Sequence, residues 1–372
     1  MFVIRSFIVI FISTLVIACN GEHDAGDNEQ ERSVSSVISQ TQSHVGEWAV
    51  VPQPDISKQP ITLRVANVVN PRFKKLSDQR LQQILMRTRE LVKQHFDIEV
   101  DFSEIKTHDI AEIFQLLKAD VIEQRKDEIV DINFISAEIR EAMQLAIFNT
   151  LSTYDDNRQA VIDYAQPYLL HPEDKQTDFI GLSYALVDTL IARLGYWQNK
   201  LADDGKPILS DDYHQWVWWD SLGYGDLEYD ILVTNQLVAS AENYGMDVHS
   251  SIRGGITAGT TSYSRDGLLS GYVYIMVYPM LNDTELLTKL RDDKTYSEEQ
   301  IINYSAALLT HELGHLLLHL GHPFGEKNCI MSPTTLLNYR QWFDDLNPEL
   351  CALGDNEAMK PGAINLEYNK SW

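Results

Sequence analysis

The most constraining feature of this sequence is a strongly apolar stretch, residues 297–320, that carries two histidines and a glutamate. Ser297 and Gln300 have the spacing of a capping box, which predicts that a helix begins here. Leucines then dominate the stretch to its end. A helix that is apolar on most of its faces belongs inside a folded domain. The polar side chains on it therefore need buried partners.

Those polar side chains form the sequence His311-Glu312-Leu313-Gly314-His315. Two histidines four positions apart share one helix face and lie about 6 Å apart along the axis. Both imidazoles can therefore reach one ion at about 2.1 Å. Burying them without such a partner would cost several kcal/mol. This spacing is typical of zinc hydrolases, in which the glutamate lies beside a zinc-bound water. The alternative is a buried helix whose histidines are satisfied by other groups.

The residues that follow extend the pattern. The sequences 311–315, 320–322 (Leu-Gly-His) and 329–333 (Cys-Ile-Met-Ser-Pro) resemble those of the metzincin metalloproteases. The resemblance covers residues 229–372. It implies an α+β fold of the zincin type, with a twisted mixed sheet and an active-site helix. It also implies one catalytic zinc ion, a third histidine ligand after the helix, and a methionine turn below the site.

The third ligand departs from the family spacing. His322 is the favoured ligand because Gly321 can adopt φ > 0 and turn the chain back. His319 is the alternative, although on an unbroken helix it lies about 12 Å beyond the first histidine. A downstream carboxylate, such as Glu326 or Glu349, is a further candidate for the third ligand.

By the same resemblance, Met331 is the methionine-turn residue. Cys329 and Cys351 resemble the cysteines that flank this methionine in archaemetzincins, where four of them bind a second zinc ion. This chain has two at such places, so a second zinc is not expected. In an oxidising compartment the two can form a disulfide. The alternative is a pair of buried thiols.

These features together predict a zinc-dependent endopeptidase. Zinc would activate a water for attack on a peptide carbonyl, and Glu312 would act as general base. An edge strand at Ile256–Tyr263 would bind the extended substrate. Two other functions remain open, a catalytically silent zinc-containing binding lipoprotein and a zinc amidase that acts on a non-protein amide.

The N-terminus predicts export. Residues 1–18 have the basic start, short apolar run and terminal small residue of a signal peptide. Val16-Ile17-Ala18-Cys19 resembles the bacterial lipobox, which implies a lipid on Cys19 and an anchor in the outer membrane of a Gram-negative bacterium, facing the periplasm. The alternative is a simple cleaved signal in which Cys19 is incidental. Residues 19–58 are polar and acidic and predict a tether.

The rest of the chain, residues 59–372, is expected to be the catalytic domain, with a mostly helical insertion at about 108–204. A net charge of −24 argues against nucleic acid as a partner. No oligomeric state follows from the sequence. Alternation and helical periodicity predict the other main elements: strands at 61–69, 97–102, 229–234, 256–263 and 271–278, and a helix at 77–96.

Overall fold

The structure is a computed structural model of the 372-residue chain. It describes residues 59–116, 119, 122–123, 130–155, 158–209, 229–241, 248–262, 272–318, 320, 328–332, 334 and 338–349. The predicted signal peptide, Cys19 and the acidic tether lie outside the described residues.

The strands of the described residues form two sheets. They are β1 (Ile61–Leu63), β2 (Val65–Val69), β3 (Val100–Phe102), β4 (Lys106–Asp109), β5 (Ile231–Thr234), β6 (Gly259–Ser262) and β7 (Tyr272–Met276). The larger sheet has the order β4-β2-β5-β7-β6, and β1 pairs with β3 in the smaller one. All neighbours are parallel except β6, which runs antiparallel to β7 at the sheet edge. The predicted mixed sheet is therefore confirmed.

Helices supply the rest of the architecture. They are α1 (Asp78–Phe96), α2 (Ile110–Leu116), α3 (Ala137–Ser152), α4 (Arg158–Ala165), α5 (Phe179–Asn199), α6 (Val248–Arg253), α7 (Tyr278–Leu281), α8 (Glu285–Leu290), α9 (Glu298–Leu318) and α10 (Tyr339–Asp345), with short 3-10 turns at Ile132–Phe134 and Gln166–Tyr168. Among the described residues between 110 and 199, the regular elements are all helical. The strand β4 runs to Asp109, and a helical insertion at about 108–204 stays a prediction.

The stretch 61–69, predicted as one strand, is two strands in different sheets. The break falls at Arg64, whose backbone N–H donates to Asp230 Oδ2 at 2.7 Å. The guanidinium of Arg64 donates to both oxygens of the same carboxylate, at 3.0 and 2.8 Å. The Arg64 N–H thus bonds to a side chain, whereas its carbonyl oxygen accepts from the backbone N–H groups of Asp230 and Ile231, both at 2.9 Å, and the pairing changes sheets at this residue.

Helix α9 lies at the centre of the fold. It packs against α1 and against β6 and β7, and its side chains from Tyr304 to Leu318 are buried. Its start is the predicted capping box: the Ser297 N–H donates to Gln300 Oε1 at 3.0 Å, and the Gln300 N–H donates to Ser297 Oγ at 3.3 Å. This prediction is confirmed. The two bonds satisfy amides that have no partner inside the helix.

Helix α5 is the one helix in the described part of the chain that is long and apolar enough to cross a membrane, judged by length and composition. Core helices of folded domains meet the same criterion. α5 packs against α3 and α6, and side chains along it, including Leu190, Leu194 and Trp197, are buried. We therefore interpret α5 as a core helix of the folded chain.

One buried histidine makes a pH-dependent contribution to stability. His95, near the end of α1, is 9 % exposed, and its Nδ1 has no hydrogen-bond partner in the described part of the chain. Burial, with a smaller contribution from the charge of Arg87, lowers its pKa to about 4. In the unfolded chain His95 binds a proton below about pH 6.5, whereas in the folded chain it does so only below about pH 4. Stability is lost as the pH falls through this window.

We expect His95→Leu to remove this component. Between pH 7 and pH 4 the wild type should lose about 3 kcal/mol more unfolding free energy than the variant does. Urea unfolding at a series of pH values measures the difference. His171→Leu is the matched control, because the His171 side chain is 64 % exposed. Equal pH slopes for the wild type and His95→Leu would contradict the prediction.

Candidate functional site

The two histidines of α9 face each other within the protein interior. His311 and His315 are 4 % and 1 % exposed, and their Nε2 atoms are 3.2 Å apart. The rings lie nearly perpendicular, with their centroids 4.8 Å apart. The helical spacing predicted from sequence therefore brings the two nitrogens close enough to share one ion.

Backbone carbonyls fix the tautomer of both rings. His311 Nδ1 lies 2.8 Å from the carbonyl oxygen of Ile330, and His315 Nδ1 lies 2.5 Å from that of Leu320. A carbonyl oxygen can only accept, so each Nδ1 carries the proton and donates it. In the neutral rings, both Nε2 atoms then carry a lone pair. Neither of these two nitrogens can donate to the other.

The arrangement fits a metal ion. Burial, reinforced by the neighbouring His315, lowers the pKa of His311 well below its ordinary value, so protonation of His311 does not relieve the facing lone pairs. Two nitrogens bound at 2.0–2.1 Å to a tetrahedral ion lie about 3.3 Å apart, close to the separation observed. Hydrogen bonds from Nδ1 to a carbonyl are also the usual support of metal-binding histidines.

The described residues supply no third ligand to the histidine pair. Within those residues, no group of three or more His, Cys, Asp or Glu side chains could hold a metal ion. His322, His319 and Glu326 all lie outside them. Glu349 is described and exposed, and it forms no such group with the histidines. The alternative that Glu349 is the third ligand is therefore wrong.

Glu312 is buried against strand β6. Its side chain is 5 % exposed, and its Oε2 accepts a hydrogen bond from Thr261 Oγ1 at 2.9 Å. A Cβ added at Gly259 would lie 2.7 Å from Glu312 Oε1, so the strand can approach this closely only without a side chain there. Burial raises the pKa of Glu312 to about 8, against the opposing effects of the Thr261 hydrogen bond and of Arg253. The carboxyl group is thus poised to exchange a proton near neutral pH.

Met331 lies directly beneath the helix. A Cβ added at Gly314 would lie 2.3 Å from Met331 Sδ and 2.7 Å from Phe96 Cζ. Both side chains are buried, and Met331 follows Ile330, whose carbonyl holds His311. The methionine thus packs against α9 at Gly314, next to His315 in sequence, and its role as a methionine-turn residue stays a prediction.

The segment around Met331 is anchored twice. Cys329 is disulfide-bonded, and its predicted partner Cys351 lies outside the described residues, so that pairing stays a prediction. Trp342 Nε1 donates to the carbonyl oxygen of Ser332 at 2.9 Å, and its ring lies 6.3 Å from that of His311. Both anchors hold the loop that orients His311.

Sequence reasoning missed the contacts from β6. Thr261 and Gly259 lie in the stretch predicted as an edge strand, and β6 is at the edge of the sheet. Two residues of a strand that are two apart share a face, which is the signal that could have paired them. Nothing in the sequence marks that face as the one turned toward Glu312.

Comparison with known proteins gives little guidance. No protein-family model matches the chain, and no curated protein matches it. Among solved structures, the crystal structure of archaemetzincin from Methanopyrus kandleri matches with 14% sequence identity and a TM-score of 0.34. The match covers 78% of this chain and 90% of that chain.

Gly314 should resist replacement although it lies in a helix. Alanine usually stabilises a helix interior by about 1 kcal/mol relative to glycine. At Gly314 the added methyl group collides with Met331 and Phe96, and overpacking of this kind costs about 1–3 kcal/mol. We therefore expect Gly314→Ala to lower the unfolding free energy, as measured by urea denaturation.

Gly195 in α5 is the matched control. The nearest atom to a Cβ added there is Ile132 Cγ1 at 3.4 Å, an ordinary contact distance. Gly195→Ala should therefore leave the unfolding free energy unchanged or increase it. A Gly314→Ala protein at least as stable as the wild type would show that the packing beneath the histidines is looser than described.

Proposed function

We propose that this protein is a zinc-dependent endopeptidase with Glu312 as its general base. The observation that carries the proposal is the pair of buried Nε2 atoms, 3.2 Å apart, whose lone pairs face each other because both Nδ1 atoms donate to carbonyls. An ion shared by the two nitrogens stabilises this arrangement. The buried glutamate between the two histidines in sequence then supplies the base.

The ligand set is proposed as His311, His315 and His322, with His319 as the alternative for the third place. Neutral imidazole nitrogens are preferred zinc ligands. The backbone carbonyls set the tautomer of both described histidines, and burial disfavours the charged form of His311. A zinc ion bound there would supply Lewis acidity.

The chain's own groups account for proton transfer. Glu312 accepts a proton from the attacking water and delivers it to the leaving amine. Its carboxylate is held by Thr261, so it does not have to be ordered during the reaction.

Strand β6 is the proposed binding edge for the substrate. It is at the edge of the larger sheet, antiparallel to β7, and it contacts α9 where Glu312 lies. An extended peptide could add to this edge through backbone hydrogen bonds and pass beside the base. This geometry favours cleavage within a chain in an extended conformation.

We further propose that the protein works in the bacterial cell envelope, anchored through Cys19 to the outer membrane and facing the periplasm. The support is the sequence of residues 1–58, with its export signal, lipobox-like cysteine and acidic tether. A disulfide at Cys329 also suits an oxidising compartment.

Metal analysis and peptide cleavage test the proposed function together. The purified protein should contain a single zinc ion per chain and cleave members of a fluorogenic peptide library. His311→Ala and His315→Ala should each lose most of the zinc. Glu312→Gln should keep the zinc and lose at least about a hundredfold in cleavage rate. His171→Ala, at an exposed site, should change neither quantity.

Other outcomes identify the alternatives. Zinc without cleavage of any library member, in both the wild type and Glu312→Gln, would indicate a binding protein. Release of amines from cell-wall peptide, without cleavage of the library, would indicate an amidase. Retention of zinc in both histidine variants would overturn the metal site itself.

The third ligand has its own test. We expect His322→Ala to lose zinc and His319→Ala to keep it, because a helical continuation carries residue 319 away from the pair. Metal content of the two purified variants measures this. Zinc loss in His319→Ala alone would assign the third place to His319.

A further inference from the structure

Strand β6 does more than line the edge of the sheet. Thr261 is fully buried, and its Oγ1 lies 2.9 Å from Glu312 Oε2 and 3.0 Å from the Glu312 carbonyl oxygen. One hydroxyl thus contacts both the side chain and the backbone of the proposed base. A single donor that reaches two acceptors of the same residue restricts the side-chain torsions between them.

Gly259 completes this contact from the same strand. With no side chain at that position, the strand backbone lies against Glu312 Oε1, on the carboxylate oxygen that Thr261 does not contact. Two residues of β6 therefore contact the two carboxylate oxygens: Thr261 donates a hydrogen bond to Oε2, and Gly259 packs near Oε1. The carboxylate has little freedom to rotate.

We propose that Thr261 is a positioning residue that holds the Glu312 carboxylate in its reactive orientation. The inference rests on the proposed function and deepens it. The strand that presents its edge to an extended peptide also fixes the base. Thr261 acts through Glu312 and does not itself contact the reacting atoms. A misplaced catalytic group can cost about a hundredfold in rate.

The first test compares Thr261→Val, which removes the donor but keeps the shape, with Thr261→Ser, which keeps the donor. We expect Thr261→Val to lower kcat by about tenfold to a hundredfold on a fluorogenic peptide that the wild type cleaves, with KM and zinc content unchanged. Thr261→Ser should retain most of the wild-type kcat. Thr88→Val is the matched control, because Thr88 is also fully buried and its hydroxyl donates to the Ile84 carbonyl of its own helix.

A second measurement does not depend on activity. Thermal unfolding of the metal-free protein is compared for Thr261→Val in the wild-type background and in a Glu312→Met background. If the hydroxyl holds the carboxylate, the valine should lower the midpoint by about 2–4 °C in the first background and by clearly less in the second. Thr88→Val should shift both backgrounds equally.

These measurements separate the two ideas. Loss of the proposed function appears as a wild type that cleaves no peptide, and the unfolding comparison then decides the role of Thr261. Equal midpoint shifts in the two backgrounds would overturn the positioning role. A Thr261→Val protein with wild-type kcat, or a Thr261→Ser protein as slow as Thr261→Val, would overturn it as well.

Discussion

The site depends on one electrostatic constraint, which is that two buried imidazoles direct unprotonated nitrogens at each other. Their tautomers are set from outside the helix, by carbonyl oxygens that accept the Nδ1 protons of His311 and His315. The two carbonyls thus leave both Nε2 lone pairs directed toward one point. The proposed zinc ion would lie at that point, bound by both nitrogens. The chemistry proposed for Glu312 follows from that arrangement.

The two carbonyls belong to Leu320 and Ile330, which lie outside α9, so contacts other than the hydrogen bonds of the helix must hold them in place. Leu320 follows the end of α9, where its own N–H donates to the Gly314 carbonyl at 3.4 Å and brings the chain back over the last turn. Ile330 lies in a segment held by the disulfide at Cys329 and by the indole of Trp342. The geometry of the histidine pair is thus as stable as these two anchored segments.

Much of the fold was predictable from sequence because local rules agree with the tertiary structure. Helix α1 was predicted at 77–96 and begins at the Ser77 cap, whose hydroxyl accepts from the Arg80 N–H. The strand expected at 97–102 is shorter, because Asp97 adopts φ 54 as the cap of α1. Such a left-handed residue cannot begin a strand. Its conformation is set by the helix end and not by the alternation that follows it.

Of the site, only the part that lies on α9 was predictable from sequence. The spacing of His311 and His315 gives the shared face, whereas the carbonyls of Ile330 and Leu320 have no sequence signature. A backbone acceptor is present at every residue, so only the path of the chain selects these two. The hydroxyl of Thr261 is likewise one of many on strands. Its role comes from the way the sheet edge meets α9.

The closeness of that meeting is set by two glycines, Gly259 on β6 and Gly314 on α9. Gly259 lets β6 approach Glu312, and Gly314 lets Met331 and Phe96 approach from the other direction. A methyl group at either position would push one layer away from α9. Separation by even 1 Å would break the 2.9 Å contact of Thr261 with Glu312 or the 2.8 Å contact of His311 with Ile330. Glu312 and the histidine pair are therefore positioned by the absence of side chains as much as by the polar groups themselves.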